Sequence, residues 1–322
     1  MEEPFKKRIN YHGELEDISL QICKDYKLGK LKSNELVMMG YEDFNFIIET
    51  AQKKYFVKVF SNFRTLDDCI RYVNVITSAL GAGIATPPML KSEQGYLHKM
   101  DVNNTNLRLC VLDFIDGKNL YESGQNLNAD EIKFIARQAA LINSINIKPS
   151  FIYDHWAITN FLKEYNIKSK CLMPDDLKLL KPLVPEFKSL GIESLPHCFV
   201  HGDIRATNLM KDKRGKLWII DFAVSNYYPR IQELAVLACN LLFNAKDKAA
   251  SAKNLSIALE EYQKKIKLTP LELKKLPAYI KLAHAMHVLN ASFEKVNNHN
   301  TSIENEYWLG QGRAGLRQMS QY

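Results

Sequence analysis

The residues best suited to carry chemistry lie in the segment 201–208 and at the end of the strand predicted after it, 217–222. Asp203 and Asn208 stand five positions apart in a loop, and Asp221 lies near the end of that strand. Phosphoryl transfer needs a carboxylate that orients the attacking hydroxyl and accepts its proton, together with hard oxygen ligands for a Mg²⁺ ion. Asp203 suits the first role, and Asn208 and Asp221 suit the second.

Such chemistry also needs a cation upstream that holds the phosphates of a nucleotide. Lys58 lies inside an apolar run, 55–60, where a charge is otherwise out of place. Taken alone, Lys58 fits the outward position of an alternating strand, and a lone Asp or Asn in a loop is usually a turn residue. The order of Lys58, Asp203, Asn208 and Asp221, each in a matching strand or loop, favours function for all four.

The part of the chain that positions Lys58 is rich in short apolar runs. Separated by polar turns, these runs predict an antiparallel meander of strands. The runs are 36–40, 44–49 and 55–60. Apolar residues at steps of three and four predict a helix over 66–80, and a further strand, 108–114, closes this region.

The part that positions Asp203 is mainly helical in pattern. Asn128, with Glu131 three residues later, forms a capping-box pattern at the start of a helix with one apolar face. Two short predicted strands, 198–200 and 217–222, interrupt the helical pattern on either side of the loop. The loop is therefore expected to be held by strands inside a helical region.

Length and composition agree with a folded protein of two lobes. The chain has 322 residues, of which 46% are hydrophobic and 25% are charged, as in ordinary soluble proteins. We predict an α+β fold in which residues 1–115 form a small antiparallel β-rich lobe with one helix. Residues 116–322 form a larger, mainly α-helical lobe, and a ligand is expected in the cleft between the two.

Charge and apolar patterning narrow the range of partners. The net charge of +7 is dispersed, which does not indicate a nucleic-acid-binding surface. No apolar run approaches the roughly 20 residues that cross a membrane, and the basic N-terminus lacks the apolar stretch of a secretory signal. The six cysteines form no CxxC motif. We expect a cytoplasmic protein without nucleic-acid or membrane partners, and its oligomeric state stays open.

The combined motif resembles the aminoglycoside phosphotransferase/choline kinase family of protein-kinase-like enzymes. It consists of His-Gly-Asp, Asn five residues after that Asp, then Ile-Asp-Phe, with a strand lysine far upstream. The resemblance covers nearly the whole chain. The matching segments are the first three strands at 36–60, the loop at 81–87 and the hinge at 112–120. Leu195-Pro196 and Glu233-Leu234-Ala235 are most similar to the homoserine kinase-like branch.

This resemblance implies a role for each residue of the motif. Asp203 would be the catalytic base, Asn208 and Asp221 would ligate Mg²⁺, and Lys58 would contact the phosphates of ATP or GTP. Backbone groups around Asp113 and Ile115 would hydrogen-bond the base of the nucleotide. His201 would be structural and would pack near Phe222.

Four departures from the family pattern bear on the geometry of the site. The helix position that often carries a Glu paired with the strand lysine is Tyr72 here. Asp68, one turn earlier, is a candidate partner of Lys58 with a shorter reach, and the identity of the partner stays open. Glu233 stands where the family usually has Asp. Ile142-Asn143 replaces a common Leu-His pair, and Gly40 stands alone where protein kinases have a glycine-rich loop.

The acceptor is expected to be a small hydroxylated metabolite. Only residues 223–232 separate the metal-binding Asp from the next helix, which leaves little room for a peptide platform. The candidate substrate residues have basic and aromatic side chains. Such side chains favour an anionic or zwitterionic acceptor, such as the amino-acid alcohol homoserine. These candidates are Arg205, Tyr227, Arg230 and Trp308. Asp154, Glu304 and Glu306 are alternative pocket residues and would favour a cationic acceptor.

Three other functions fit the same motif. The first is an aminoglycoside or choline-type kinase, and the second is a Ser/Thr kinase of the stress-response type. The third is a non-catalytic nucleotide-binding pseudokinase, which the missing helix Glu favours and the intact Asp203, Asn208 and Asp221 disfavour.

Overall fold

Two compact units make up the part of the chain that this computed structural model describes, residues 6–37, 43–124 and 126–319. So far as they are described, Met1–Lys118 and Lys211–Ile220 form the first unit. Asn119–Met210 and Asp221–Tyr322 form the second. The chain thus returns briefly to the first unit after Met210, whereas the sequence placed all of residues 116–322 in one lobe.

Ten strands lie within the described residues. In chain order they are β1 (Leu31–Val37), β2 (Phe44–Thr50), β3 (Lys54–Val59), β4 (His98–Val102), β5 (Thr105–Asp113), β6 (Gly117–Asn119), β7 (His197–Val200), β8 (Leu209–Asp212), β9 (Leu217–Ile219) and β10 (Asn226–Pro229). The first five form one antiparallel sheet in the order β1-β2-β3-β5-β4. Strands β10 and β7 pair antiparallel, and β6-β8-β9 form a third sheet. The predicted antiparallel meander is confirmed, although Gly40 and the end of the predicted first strand lie outside the described residues.

Strand β3 has one core face and one polar face. Tyr55, Val57 and Val59 are buried in the hydrophobic core of the first unit. Successive side chains of a strand point to opposite faces, so Phe56 and Lys58 share the other face. The alternation therefore removes Lys58 from the apolar core while its neighbours anchor the strand.

Eleven α-helices lie within the described residues. They are α1 (Leu15–Asp25), α2 (Leu66–Gly81), α3 (Leu120–Ser123), α4 (Ala129–Asn143), α5 (Phe161–Lys168), α6 (Pro174–Leu180), α7 (Leu183–Lys188), α8 (Ile231–Leu237), α9 (Lys248–Gln263), α10 (Pro270–Asn297) and α11 (Ile303–Met319). A π-helical segment, Ala238–Leu242, continues α8. No helix among those described is long and apolar enough to cross a lipid bilayer.

The helix start predicted at Asn128 is confirmed by a side-chain cap. The Asn128 side chain accepts hydrogen bonds from the backbone of Asp130 and Glu131, and the Glu131 carboxylate accepts one from the Asn128 N–H. The described first unit has two helices rather than the single one predicted, because α1 precedes the sheet. Helix α1 buries Leu15, Ile18 and Ile22 in the core of that unit.

Helix α10 forms the centre of the second unit and is buried on most sides over its middle turns. Helix α11 packs closely against it at two glycines. A Cβ added to Gly312 would lie 2.7 Å from the carbonyl oxygen of His284, and one added to Gly315 would lie 2.2 Å from its ring. This close approach fixes Trp308 of α11 beside His287 of α10, with ring centroids 5.2 Å apart.

Candidate active site

The loop after β7 turns sharply and brings Asp203 and Asn208 together. Gly202 has φ +81°, a backbone conformation that glycine adopts without a side-chain clash. The Asn208 Nδ2 donates to the Asp203 carbonyl oxygen at 2.9 Å and to its Oδ2 at 2.7 Å. The His201 Nδ1 accepts from the Asp203 N–H at 3.2 Å, and the His201 ring lies 4.4 Å from that of Phe222. The predicted packing of His201 near Phe222 is thus confirmed.

Buried polar residues beneath the loop hold its backbone. The Glu233 Oε2 accepts from the His201 N–H at 2.6 Å, and complete burial raises the pKa of this carboxyl to about 7. The Asn143 Nδ2 donates to the Phe199 carbonyl at 2.9 Å, and Tyr262 donates to the Asn143 Oδ1 at 2.7 Å. The departures Glu233 and Asn143 therefore bind backbone groups that would otherwise be buried without partners.

Asp203 is placed to act as a base beside a second carboxylate. Burial raises the pKa of Asp203, and the charge of Asp221 adds to this effect. Arg205 and Asn208 oppose it, the former through an Nε to Oδ1 contact of 3.0 Å. A carboxylate with a raised pKa is a better proton acceptor than an ordinary surface Asp.

Asn208 and Asp221 fit a divalent cation by their chemistry. Both amide hydrogens of Asn208 point to Asp203, which leaves its Oδ1 available as a neutral oxygen ligand. Asp221 is exposed and has φ +65°, so the backbone turns at this carboxylate. Within the described residues no group of three His, Cys, Asp or Glu side chains forms a metal site. Two oxygen ligands completed by water and phosphate oxygens are typical of Mg²⁺.

Of the predicted substrate residues, Arg205 lies beside Asp203, and Trp308 lies beside Arg205. The Arg205 guanidinium carbon is 5.4 Å from the centre of the Trp308 ring, a distance typical of a cation–π contact. The Trp308 Nε1 donates to the Glu304 Oε1 at 3.2 Å. Two tyrosines, Tyr121 and Tyr307, pack against the same indole.

Asp154 is a further carboxyl near the base. Burial raises its pKa to about 7, the charge of Asp203 adds to this, and Arg205 opposes it. Its Oδ1 accepts from the Trp156 N–H at 2.8 Å. Asp154, Glu304, Arg205 and Trp308 together are called the Arg205 cluster below, because the charges of both carboxylates act on Arg205.

Two predicted substrate residues are not brought to Asp203. Arg230 makes a two-point ion pair with the buried Glu272, with Nε to Oε1 at 2.5 Å and Nη2 to Oε2 at 2.6 Å. Tyr227 stacks on His197 with ring centroids 6.1 Å apart. Arg230, after β10, is thus bonded to the start of α10, and its contact with substrate stays a prediction.

In the first unit, Lys58 is paired with a residue that the sequence did not single out. Its Nζ lies 3.1 Å from the Oδ2 of Asp43 and 5.2 Å from the centre of the Tyr72 ring. The candidate partner Asp68 is bonded elsewhere. Its carboxylate closes the capping box of α2 by accepting from the N–H and hydroxyl of Thr65, at 2.8 and 2.7 Å. Local helix capping, not the lysine, determines where Asp68 lies.

The predicted hinge follows β5 in the first unit. The Asp113 N–H donates to the Pro88 carbonyl at 2.9 Å, and its side chain pairs with Lys53. Among the described residues, the Ile115 N–H makes no backbone–backbone hydrogen bond. Asp113 also lines a surface pocket of about 500 Å³. The pocket is lined by Lys53, Lys54, Asp113, Phe114, Asp116 and Lys213.

Comparison with known proteins defines the class to which this fold and site belong. The sequence model of the APH phosphotransferase enzyme family matches residues 35–265. The chain therefore belongs to this family. It is a phosphotransferase with a protein-kinase-like fold. The match does not single out the homoserine kinase-like branch, which stays a prediction. No curated protein matches the sequence.

Solved structures share the fold at low sequence identity. An amicoumacin kinase in complex with AMP-PNP, Ca²⁺ and its substrate superposes with a TM-score of 0.68 at 15% identity, over 99% of this chain and 96% of that one. A microcompartment-associated aminopropanol kinase has a TM-score of 0.63 at 14% identity, over 95% and 96%. A choline/ethanolamine kinase family protein from Mesorhizobium loti has a TM-score of 0.62 at 14% identity, over 95% of each chain.

Proposed function

We propose that the protein transfers the γ-phosphate of ATP to the hydroxyl of a small zwitterionic amino alcohol, of which homoserine is the model. The observation that carries the acceptor class is the Arg205 cluster. It offers the carboxylates Asp154 and Glu304 to an ammonium group and the guanidinium of Arg205 to a carboxylate. A plain cation would gain from the two acids but would meet the charge of Arg205.

In this mechanism Asp203 orients the acceptor hydroxyl and takes its proton. The acceptor oxygen forms a bond to the γ-phosphorus as the bond from that phosphorus to the β-γ bridging oxygen breaks, and ADP leaves. Asn208 and Asp221 would hold Mg²⁺, which neutralises phosphate charge when bound. Lys58 would contact the phosphates, and the Ile115 N–H with the backbone of Asp113 would bind the base.

The proposed phosphate donor is ATP, and the proposed location is the cytoplasm. ATP is preferred to GTP because structurally similar kinases were solved with AMP-PNP, ADP or AMP. A cytoplasmic protein without nucleic-acid or membrane partners remains the expectation from sequence.

The test uses two acceptors that differ only by a carboxylate, homoserine and 3-aminopropanol. ADP formation should show a higher kcat/KM for homoserine, with Asp203→Asn as the blank. Arg205→Met should abolish this preference, because both acceptors then meet the same two acids. A wild-type preference for 3-aminopropanol would contradict the zwitterionic acceptor.

A second candidate is a kinase for purely cationic acceptors such as choline or an aminoglycoside. The carboxylates of Asp154 and Glu304 favour it, together with the Trp308 ring that is hydrogen-bonded to Glu304, since carboxylates and an aromatic face bind ammonium groups. The same assay decides between the two candidates. Turnover of choline or an aminoglycoside above that of homoserine would select this second function.

A further inference from the structure

Asp43 is a buried carboxylate shared by two cations. Its Oδ1 accepts from the Arg64 Nε at 2.7 Å and from the Ser61 N–H at 3.2 Å. Its Oδ2 accepts from the Lys58 Nζ and the Arg64 Nη2, both at 3.1 Å. The side chain is only 2% exposed. Burial alone would raise the pKa of Asp43, but Lys58 and Arg64 outweigh it and hold the pKa below its usual value.

The backbone of Asp43 is fixed as firmly as its side chain. Asp43 directly precedes β2, where Phe44 lies opposite Val59 and Asn45 opposite Lys58 in the antiparallel ladder. The Arg8 Nη1 donates to the Asp43 carbonyl oxygen at 2.9 Å. The ladder therefore sets the separation between this carboxylate and the Lys58 amine, independently of α2.

The charge balance of this group suits an anion. Asp43, Lys58 and Arg64 together carry one negative and two positive charges, whereas a simple Lys–carboxylate pair carries one of each. Helix α2 supplies no acid here, because Tyr72 presents its ring to the Lys58 amine and Asp68 caps the helix. The carboxylate that fixes the phosphate-binding lysine must then come from elsewhere in the unit.

We propose that Asp43 is the positioning residue for Lys58, holding its amine where it meets the nucleotide phosphates, with Arg64 fixing Asp43 from its other side. The proposal rests on the proposed function in one respect only, namely that Lys58 binds nucleotide phosphates. It assigns to the start of β2 a role that a helix acid would otherwise perform.

The experiment moves the carboxylate from one element to another. Asp43→Asn should weaken Mg–ATP binding, measured by calorimetry, by about tenfold or more, because coupled charges in one network typically interact at this level. Adding Tyr72→Glu to Asp43→Asn should restore part of the affinity, because position 72 faces the Lys58 amine. A purely structural role for Asp43 gives no reason for this rescue.

The matched control is Asp25→Asn, in the same unit. Asp25 pairs with the buried His98 at 2.8 Å and does not contact Lys58. Its loss should lower the Tm of unfolding yet leave the Mg–ATP affinity within about twofold, close to the usual error of additivity. The Asp43 proposal fails if Asp25→Asn weakens Mg–ATP binding as much as Asp43→Asn does. It also fails if folded Asp43→Asn binds like wild type.

Two further measurements cover the remaining outcomes. If Asp43→Asn does not fold, Asp43→Glu replaces it, since it keeps the charge but displaces the carboxylate by about 1.5 Å, one methylene. A raised nucleotide KM at wild-type Tm supports the role of Asp43, and wild-type kinetics contradict it. Failure of wild type itself to bind Mg–ATP would overturn the proposed function, and the Asp43 proposal with it.

Discussion

Asp203 and Lys58 act on different atoms of the proposed reaction, so their variants should differ in kinetics. Asp203→Asn should lower kcat by about 10²–10⁴, the usual contribution of a general base, with little change in nucleotide affinity. Lys58→Ala should raise the nucleotide KM as well as lower kcat, because phosphates are bound in both ground and transition states. Steady-state rates and equilibrium nucleotide binding check the contrast.

The control for this pair is Asp175→Asn, whose carboxylate is 80% exposed in the first turn of α6. It should leave both kcat and KM unchanged. Loss of nucleotide binding by Asp203→Asn at near-normal kcat would show that Asp203 is not the base. The ligand roles of Asn208 and Asp221 would then need a new assignment.

The raised pKa of Asp154 should make the stability of the protein depend on pH. Its pKa of about 7, raised by burial, lies above that of an unfolded Asp, about 3.9. Between these pH values the folded chain keeps a proton that the unfolded chain has lost. The free energy of unfolding therefore falls as the pH rises toward 7. Asp154→Asn should therefore gain more Tm over wild type at pH 8 than at pH 5.

Acceptor binding should follow the opposite trend, because only ionised Asp154 attracts an ammonium group. The KM for homoserine should fall as the pH rises through 7 in wild type and should change less in Asp154→Asn. Asp203, Arg205 and Glu164 also act on this carboxyl and are unchanged in the variant. Equal Tm gains at both pH values would contradict the buried, protonated state of Asp154.

Sequence reveals candidate site residues best where their spacing is fixed within one loop. Asp203 and Asn208 are bonded to each other in the structure, as a five-residue spacing in a tight loop allows. Asp43 had no such signal, because the polar sequence Tyr41-Glu42-Asp43 predicts no more than a turn, and Asp43 meets Lys58 and Arg64 only after the sheet forms. Asp68 had the better local position, but its cap with Thr65 forms within one helical turn.

At the level of elements, strand β6 begins at a glycine that the packing requires. A Cβ on Gly117 would lie 2.2 Å from the Lys211 carbonyl oxygen, a backbone atom that cannot rotate away. Gly117→Ala should therefore destabilise the protein by about 1–3 kcal/mol, as overpacking usually does. Thermal or denaturant unfolding measures this change.

The matched control is Gly81→Ala at the end of α2. A Cβ there has no atom within 4 Å, and Gly81 does not have a positive φ. This change should be neutral or stabilising by up to about 1 kcal/mol, the preference of a helix for Ala over Gly. Equal destabilisation by both variants would show that the contact at Lys211 is not the cause.

The elements that sequence missed are those with weak or short patterns. Strand β4 alternates buried His98, Met100 and Val102 with exposed residues, but five residues are too few to separate from a loop. Helix α10 is buried on most sides, so its apolar residues do not form one stripe. Helix α1 does carry a stripe, Leu15, Ile18 and Ile22, and could have been predicted.

For the whole molecule, the sequence was sufficient for the class of fold and not for the acceptor. The order of strand lysine, loop Asp and Asn, and strand-end Asp spans most of the chain. The fold itself tolerates large changes in sequence, as the 12–15% identity of several similar structures illustrates. The acceptor depends on side chains from separate segments. Asp154, Arg205 and Trp308 meet only through the packing of the second unit.

Binding of a Mg–nucleotide complex should stabilise the folded state of the whole molecule. A ligand that binds only the folded state stabilises it by about 2.7 kcal/mol at 100 times its Kd. ATP should therefore raise the Tm when Mg²⁺ is present and have little effect in chelator. Asp221→Ala should remove this Mg²⁺ dependence and abolish turnover, because the phosphates lose their fixed counter-ion. The measurement compares the rise in Tm that ATP causes in wild type in the presence of EDTA with the rise in the presence of Mg²⁺. Equal stabilisation in both buffers would mean that Asn208 and Asp221 hold no cation needed for nucleotide binding.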